Sequence, residues 1–285
     1  MVINSKLKLW SFILMIYGLC FACRILEYFV LRTDQTVWGE AFVHKLAGIA
    51  ILFWAAKSRG FSLRQQGFSK RGIGKNLIGG LVFSLAVFAL AYGAEIAALT
   101  GRGKFQGLEV YVSIFNVDKN IEKESAPIFF LLCIAGNIIN VIMEEGIFRG
   151  LFQRLLDEKY RFIMAAILSS ILFGLWHVMA PIRSLIDGET TPVQTVVQTI
   201  VYITASALVG FTFTFMTKLT GSLYMAMMAH FINNSSVNLL HVLSESGSDE
   251  LMAVRVAVAQ SLSLLLVLVW YNHKQKRYRK EIKST

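Results

Sequence analysis

Glu144, Glu145 and Arg149 sit in the string Met-Glu-Glu-Gly-Ile-Phe-Arg-Gly, from Met143 to Gly150, at the end of an apolar stretch. A charged side chain at bilayer depth costs about 2.5 to 3.5 kcal/mol on insertion scales, so each is a functional hypothesis by default. On a helix Asn137, Asn140 and Glu144 fall at i, i+3 and i+7 and form one polar stripe. Glu145 is turned about 100° away, and Arg149 follows it by four residues, the spacing at which a carboxylate and a guanidinium meet. The two acids therefore have different work: Glu145 is neutralised by Arg149, and Glu144 has no obvious local partner. Farther along, Phe173 and His177 share a helix face, as do His230 and Asn234, with Asn238 and His241 continuing the second stripe.

Hydrolysis of an amide needs a base for water and donors for the oxyanion, and these groups can supply both. A carboxylate such as Glu144, drawn into a low-dielectric pocket, becomes a better proton acceptor. His177 can share that proton or fix the water. Asn234 is a donor that cannot lose charge, and His230 can donate from a ring nitrogen. Losing one such oxyanion donor typically costs about 100- to 1000-fold in rate.

The elements that must position them are transmembrane helices. The 285 residues are 55% hydrophobic and 16% charged, against about 25% charged in soluble domains. Hydropathy predicts spans near 9–30, 37–56, 76–99, 126–148, 162–180, 193–216, 220–243 and 251–271. The expected fold is all-α, a polytopic membrane protein of about eight transmembrane helices in one bundle. Residues 1–285 form a single domain, with the chemistry within 126–243 and a basic cytoplasmic tail at 272–285. The three prolines, Pro127, Pro181 and Pro192, fall at span ends. With the N-terminus inside, one face collects 19 of the 28 Lys and Arg residues and the other six, while Arg24, Lys45 and Arg255 lie within spans. That asymmetry predicts N-in and C-in topology. The net charge of +10 is thus topology and anionic-lipid contact at Lys57 to Lys75 and at the tail, not nucleic-acid binding. If spans four and five form a hairpin, Glu144 and His177 lie about 20 and 24 Å deep, and His230 and Asn234 about 15 and 21 Å, by helical rise alone.

In these residues the chain resembles the CAAX prenyl protease type II and bacteriocin-processing (CPBP) family of intramembrane peptidases. Its Glu-Glu-x-x-x-Arg motif matches Glu144, Glu145 and Arg149; Phe-x-x-x-His matches Phe173 and His177; His-x-x-x-Asn/Asp matches His230 and Asn234. Together they cover about 90 residues, in this order, each on its own apolar span. The resemblance implies an eight-helix bundle and a membrane-embedded endopeptidase. In it Glu144 and His177 activate water, His230 and Asn234 stabilise the oxyanion, and Glu145, Arg149 and Phe173 support them. It implies cleavage near the C-terminus of a prenylated CAAX-type substrate, or of a bacteriocin or other peptide precursor. The expected partners are therefore a peptide or lipidated protein and membrane lipids.

Zinc is the open question of mechanism. Glu144, His177 and His230 would be a two-His, one-carboxylate set of the kind catalytic zinc accepts, but a His-Glu-x-x-His helix is absent, so metal-free activation of water is the expectation. His44 and His241 are read as packing or helix-to-helix hydrogen bonds. Arg24, Glu27, Glu40, Lys45, Glu95 and Arg255 are read as helix-end groups that snorkel or pair internally. Cys20, Cys23 and Cys133 are read as buried hydrophobes. Gly79, Gly80, Gly93 and Gly221 are expected to allow close helix approach. Two other functions use the same residues: a proton-coupled transporter, or a scaffold that binds a peptide without cutting it, as in immunity.

Overall fold

Inside a bilayer every backbone N–H and C=O must be satisfied by the protein itself, and this chain does so with helices. The computed structural model describes residues 2–36, 41–115 and 121–284. The elements are α1 (Val2–Leu26), α2 (Val43–Ser58), α3 (Ile73–Gly101), α4 (Pro127–Glu145), α5 (Gln153–Asp157), α6 (Phe162–Trp176), α7 (Met179–Ile186), α8 (Pro192–Thr220), α9 (Tyr224–Leu239) and α10 (Met252–Ser284). Pro127 and Pro192 each open a helix, where a missing N–H costs nothing. Thr191 accepts from the Gln194 amide while Gln194 reaches back to Thr191, a capping box that fixes the start of α8.

Six helical stretches among the described residues are long and apolar enough to cross a membrane: Lys6–Gln35, Ile73–Gly101, Pro127–Asp157, Phe162–Ile186, Pro192–Thr220 and Met252–Glu281. The chain is thus an all-α polytopic membrane protein. The other two expected spans are shorter, since α2 and α9 have 16 residues each, about 24 Å by helical rise. The expected start of the second span, with Glu40, lies outside the described residues, as does Lys119.

Short strands were not expected, yet among the described residues five cap one end of the bundle. β1 (Phe105–Val110) pairs antiparallel with β4 (Leu240–Ser244), which pairs with β5 (Gly247–Ser248); β2 (Val112–Phe115) pairs with β3 (Ile121–Glu124). The pairing of Val110 with Leu240 stops α9 at Leu239. His241 therefore leaves the helical stripe it was expected to continue. It stacks on Tyr111 at 3.7 Å between centroids and lies 2.6 Å from Asp249 Oδ2. Its reading as a satisfied structural histidine holds.

The opposite end of the bundle is joined by Trp10 donating to Tyr160 (2.9 Å), Leu223 N–H donating to Gly67 C=O (3.0 Å) and Lys274 capping α8 at Leu219 C=O (2.8 Å). Between the ends runs an apolar core in which Ile13, Ile16, Leu52, Phe148, Phe152 and Trp176 are fully buried. Of the glycines expected at close approaches only Gly80 serves so, since a Cβ there would lie 2.6 Å from Met225 C=O. Gly79 and Gly93 face open space, and Gly221 is the left-handed cap of α8, with φ 68°.

Candidate active site

Helix α4 carries the polar stripe at its inner end. Just beyond Glu145 the helix widens into a π-helical turn, Gly146–Phe152, a form found often at functional sites. Packing there is tight: a Cβ on Gly146 would meet Leu52 at 2.4 Å, and one on Gly150 would meet Gln66 C=O at 2.9 Å. Glu144 and Glu145 are thereby held side by side, both buried, on different faces.

Glu145 meets Arg149 as its spacing predicts, with Arg149 Nη1 3.2 Å from Oε1. The same oxygen lies 2.8 Å from His230 Nδ1. Arg149 rests on the Phe173 ring at 3.9 Å from its centroid, a cation–π contact. Gly210 of α8 makes room for both, since a Cβ there would lie 2.6 Å from Arg149 Nη2 and 2.8 Å from Phe173. Phe173 in turn packs edge-on against His177 and His230, at 4.8 and 6.2 Å between centroids.

Glu144 has partners that spacing alone does not reveal. Trp176 donates its indole N–H to Oε1 at 2.9 Å, and Arg24 Nη1 stands 4.0 Å from the same oxygen. Arg24 is buried, lies over Trp176 and Tyr28 at 4.4 and 4.9 Å from their ring centroids, and donates to the Tyr28 hydroxyl at 3.1 Å. It pairs internally, as one of its two expected readings had it, but with the central carboxylate. The other oxygen, Oε2, has no hydrogen-bond partner among the described residues and lies 3.6 Å from His230 Nε2.

His177 follows the last residue of α6. Its Nδ1 lies 2.8 Å from the Phe173 carbonyl oxygen. A carbonyl only accepts, so Nδ1 carries the proton and donates, which leaves Nε2 for the cavity. On α9, Asn234 Oδ1 accepts from Asn233 at 3.0 Å, and Asn233 in turn accepts from Gln260.

Glu144, His177, His230 and Asn234 all line one cavity of about 380 Å³. Asn137, Asn140 and Asn238 extend the lining, and Asn137 and Asn238 both donate to Cys133 Sγ. His44, read as a packing histidine, lines it too and holds Glu27 through its backbone N–H at 2.8 Å. Toward the strands Asp34 and Arg183 join at 2.7 Å, and Arg32 pairs with Asp187, also at 2.7 Å. Burial pushes the Asp187 carboxyl up, but Arg32 and Arg183 outweigh it and hold it below the usual carboxylate range.

Among the described residues no three His, Cys, Asp or Glu side chains are grouped as metal ligands. His230 Nε2 and Glu144 Oε2 approach each other at 3.6 Å.

Residues 126–236 match the family described as Type II CAAX prenyl endopeptidase Rce1-like. The stretch opens at α4 and closes within α9, so it contains all three motifs. Over 150 residues the chain is 27% identical to a Bacillus subtilis (strain 168) protein that bears the provisional description membrane peptidase YdiL. The match takes in 51% of this chain, and the chain spans about half of that relative's length, 52%. Over residues 126–236 this integral membrane protein is thus similar to the Rce1-like, type II CAAX prenyl endopeptidase family.

Proposed function

We propose that the protein is an intramembrane endopeptidase that hydrolyses a peptide bond with water activated by Glu144 and His177. One observation carries the reading: buried Glu144, whose Oε2 has no hydrogen-bond partner among the described residues, lines one cavity with His177, His230 and Asn234. Water at Oε2 gives its proton to the carboxylate while accepting orientation from His177 Nε2. The hydroxide oxygen attacks the scissile carbonyl carbon. His230 Nε2, when the ring carries both protons, and the Asn234 amide donate to the resulting oxyanion. The C–N bond then breaks as Glu144 returns the proton to the leaving nitrogen, giving one new carboxylate and one new amine. No step is routed through a metal.

The substrate is a peptide segment near its membrane-associated end, either a prenylated CAAX-type C-terminus or a bacteriocin or other peptide precursor. The test is cleavage of quenched fluorescent peptides, prenylated and unprenylated, by purified protein in detergent, with and without a chelator. Cleavage by wild type and none by Glu144→Gln of normal fold supports the reading. Cleavage that survives Glu144→Gln refutes the role of Glu144, and loss with chelator refutes metal-free activation.

A further inference from the structure

The cavity has a floor and a mouth, and the chain's charge says which side of the membrane the mouth faces. From Glu144 the lining runs outward along α4 through Asn137 to Phe129, about 22 Å of helix. It ends among Asp34, Arg183 and the exposed Ser113 of β2. Inward of Glu144 the described residues add nothing to this lining from α4, and Phe148, Leu151, Phe152, Leu155 and Trp176 are fully buried in one apolar core. The mouth is therefore at the end of the bundle that carries the strands.

That end also carries the connections after α1, α3, α7 and α9. It is poor in Lys and Arg and rich in acids, with Glu109, Glu189, Glu245, Asp249 and Glu250 among them. The closed end gathers the segments 57–75, 154–161 and 272–285, where most of the 28 Lys and Arg residues lie. Retained cytoplasmic segments are the ones enriched in Lys and Arg. The floor end, then, is cytoplasmic.

We infer that the cavity opens on the face of the membrane away from the cytoplasm, so that the peptide cut at Glu144 is one presented at the non-cytoplasmic surface: a translocated or secreted precursor, not the C-terminus of a cytoplasmic protein. The choice of substrate rests on the peptidase reading, whereas the sidedness does not. It favours the peptide-precursor branch over the prenylated one, since prenylation of a C-terminal cysteine anchors a protein to the surface on which it was made.

The experiment reads sidedness without activity. In a bacterial host, full-length protein with Cys20, Cys23 and Cys133 replaced by Ala receives one cysteine: Ser113→Cys at the mouth, Asn238→Cys in the lining, or Lys70→Cys at the closed end. Intact cells are treated with a small membrane-impermeant thiol reagent, and labelling after denaturation normalises each variant. Ser113→Cys and Asn238→Cys should label in intact cells and Lys70→Cys only after lysis, a contrast of about tenfold or more. The reverse pattern overturns the inference, as does an Asn238→Cys that stays unlabelled until lysis. Should the cysteine-free background fail to insert, green fluorescent protein fused after Thr285 of the native chain reports the same fact: fluorescence supports a cytoplasmic closed end, and a dark, inserted fusion overturns it. Correct labelling without cleavage of any peptide would sink the peptidase reading and leave the sidedness standing.

Discussion

His230 and Glu145 meet at 2.8 Å, Nδ1 to Oε1, across 85 residues of chain. Since Glu145 also accepts from Arg149, a three-membered chain of Arg149, Glu145 and His230 turns Nε2 of the imidazole toward Glu144 at 3.6 Å. Glu145 thus fixes the orientation of the His230 ring. Replacing it by Gln keeps the shape and removes the charge. Glu145→Gln should fold and lose about 10²-fold in kcat, the range seen when one oxyanion donor is lost. Glu145→Ala strands the Arg149 guanidinium, at a cost of about 3 to 5 kcal/mol. Thermal melts beside peptide cleavage separate the two; a fully active Glu145→Gln would show that the charge of Glu145 is not needed for the work of His230.

Trp176 holds Glu144 from behind. Its indole N–H reaches Oε1 at 2.9 Å and its ring lies under Arg24 at 4.4 Å. Trp176→Phe keeps much of the packing and removes the donor, leaving a buried carboxylate oxygen short of one bond, at about 1 to 3 kcal/mol. The expected result is a drop in kcat of tenfold or more with little change in KM, because the group acts on the base and not on the peptide. A change confined to KM would instead place Trp176 in substrate binding.

Gly210 lets α8 come close enough to enclose Arg149. Gly210→Ala adds a methyl 2.6 Å from Nη2 and 2.8 Å from Phe173, and overpacking of this kind costs about 1 to 3 kcal/mol. The displaced guanidinium would loosen its hold on Glu145, so the variant should melt lower and cut more slowly. Gly93→Ala, with nothing within 4 Å, is the control and should match wild type in both.

The three motifs were legible because each is a short polar pattern within one helix, where periodicity alone fixes which side chains share a face. Asn137, Asn140 and Glu144 do line one cavity, and Glu145 does take Arg149. What could not be read was set between helices. Arg24 meets Glu144 only because α1 packs against Trp176 of α6, and nothing in the spacing of α1 reports that. Trp176 offered one signal: a buried indole N–H seeks an acceptor, and it directly precedes His177. The strands were hidden for a different reason. Phe105–Val110 alternates half-buried and exposed residues, but six residues in a span-connecting loop fall below what a hydropathy window resolves. Missing them carried His241 onto a helix that ends two residues before it.

The strand cap makes a pH prediction. Asp249 accepts from the Val242 amide (3.1 Å) and Arg255 (2.9 Å), and its other oxygen lies 2.6 Å from His241 Nδ1. Burial pushes its carboxyl up, but the bonds from His241, Arg255 and Val242 outweigh it and hold it below the ordinary carboxylate range. An unfolded Asp titrates near pH 3.9, so the folded protein keeps this carboxylate ionised at a pH where the unfolded chain takes up a proton. The stabilisation is therefore complete above about pH 4 and is lost as the pH falls through the lower folded value. Asp249→Asn removes it at neutral pH, at a cost of about 1 to 3 kcal/mol, chiefly from leaving buried Arg255 short of a charged partner. Melting temperatures of wild type and Asp249→Asn should differ most at pH 6 to 7 and converge as the pH drops below 4. A gap that stays constant down to pH 3 would mean that the carboxylate's charge contributes nothing and that the residue serves the left-handed turn at φ 60° through its shape alone.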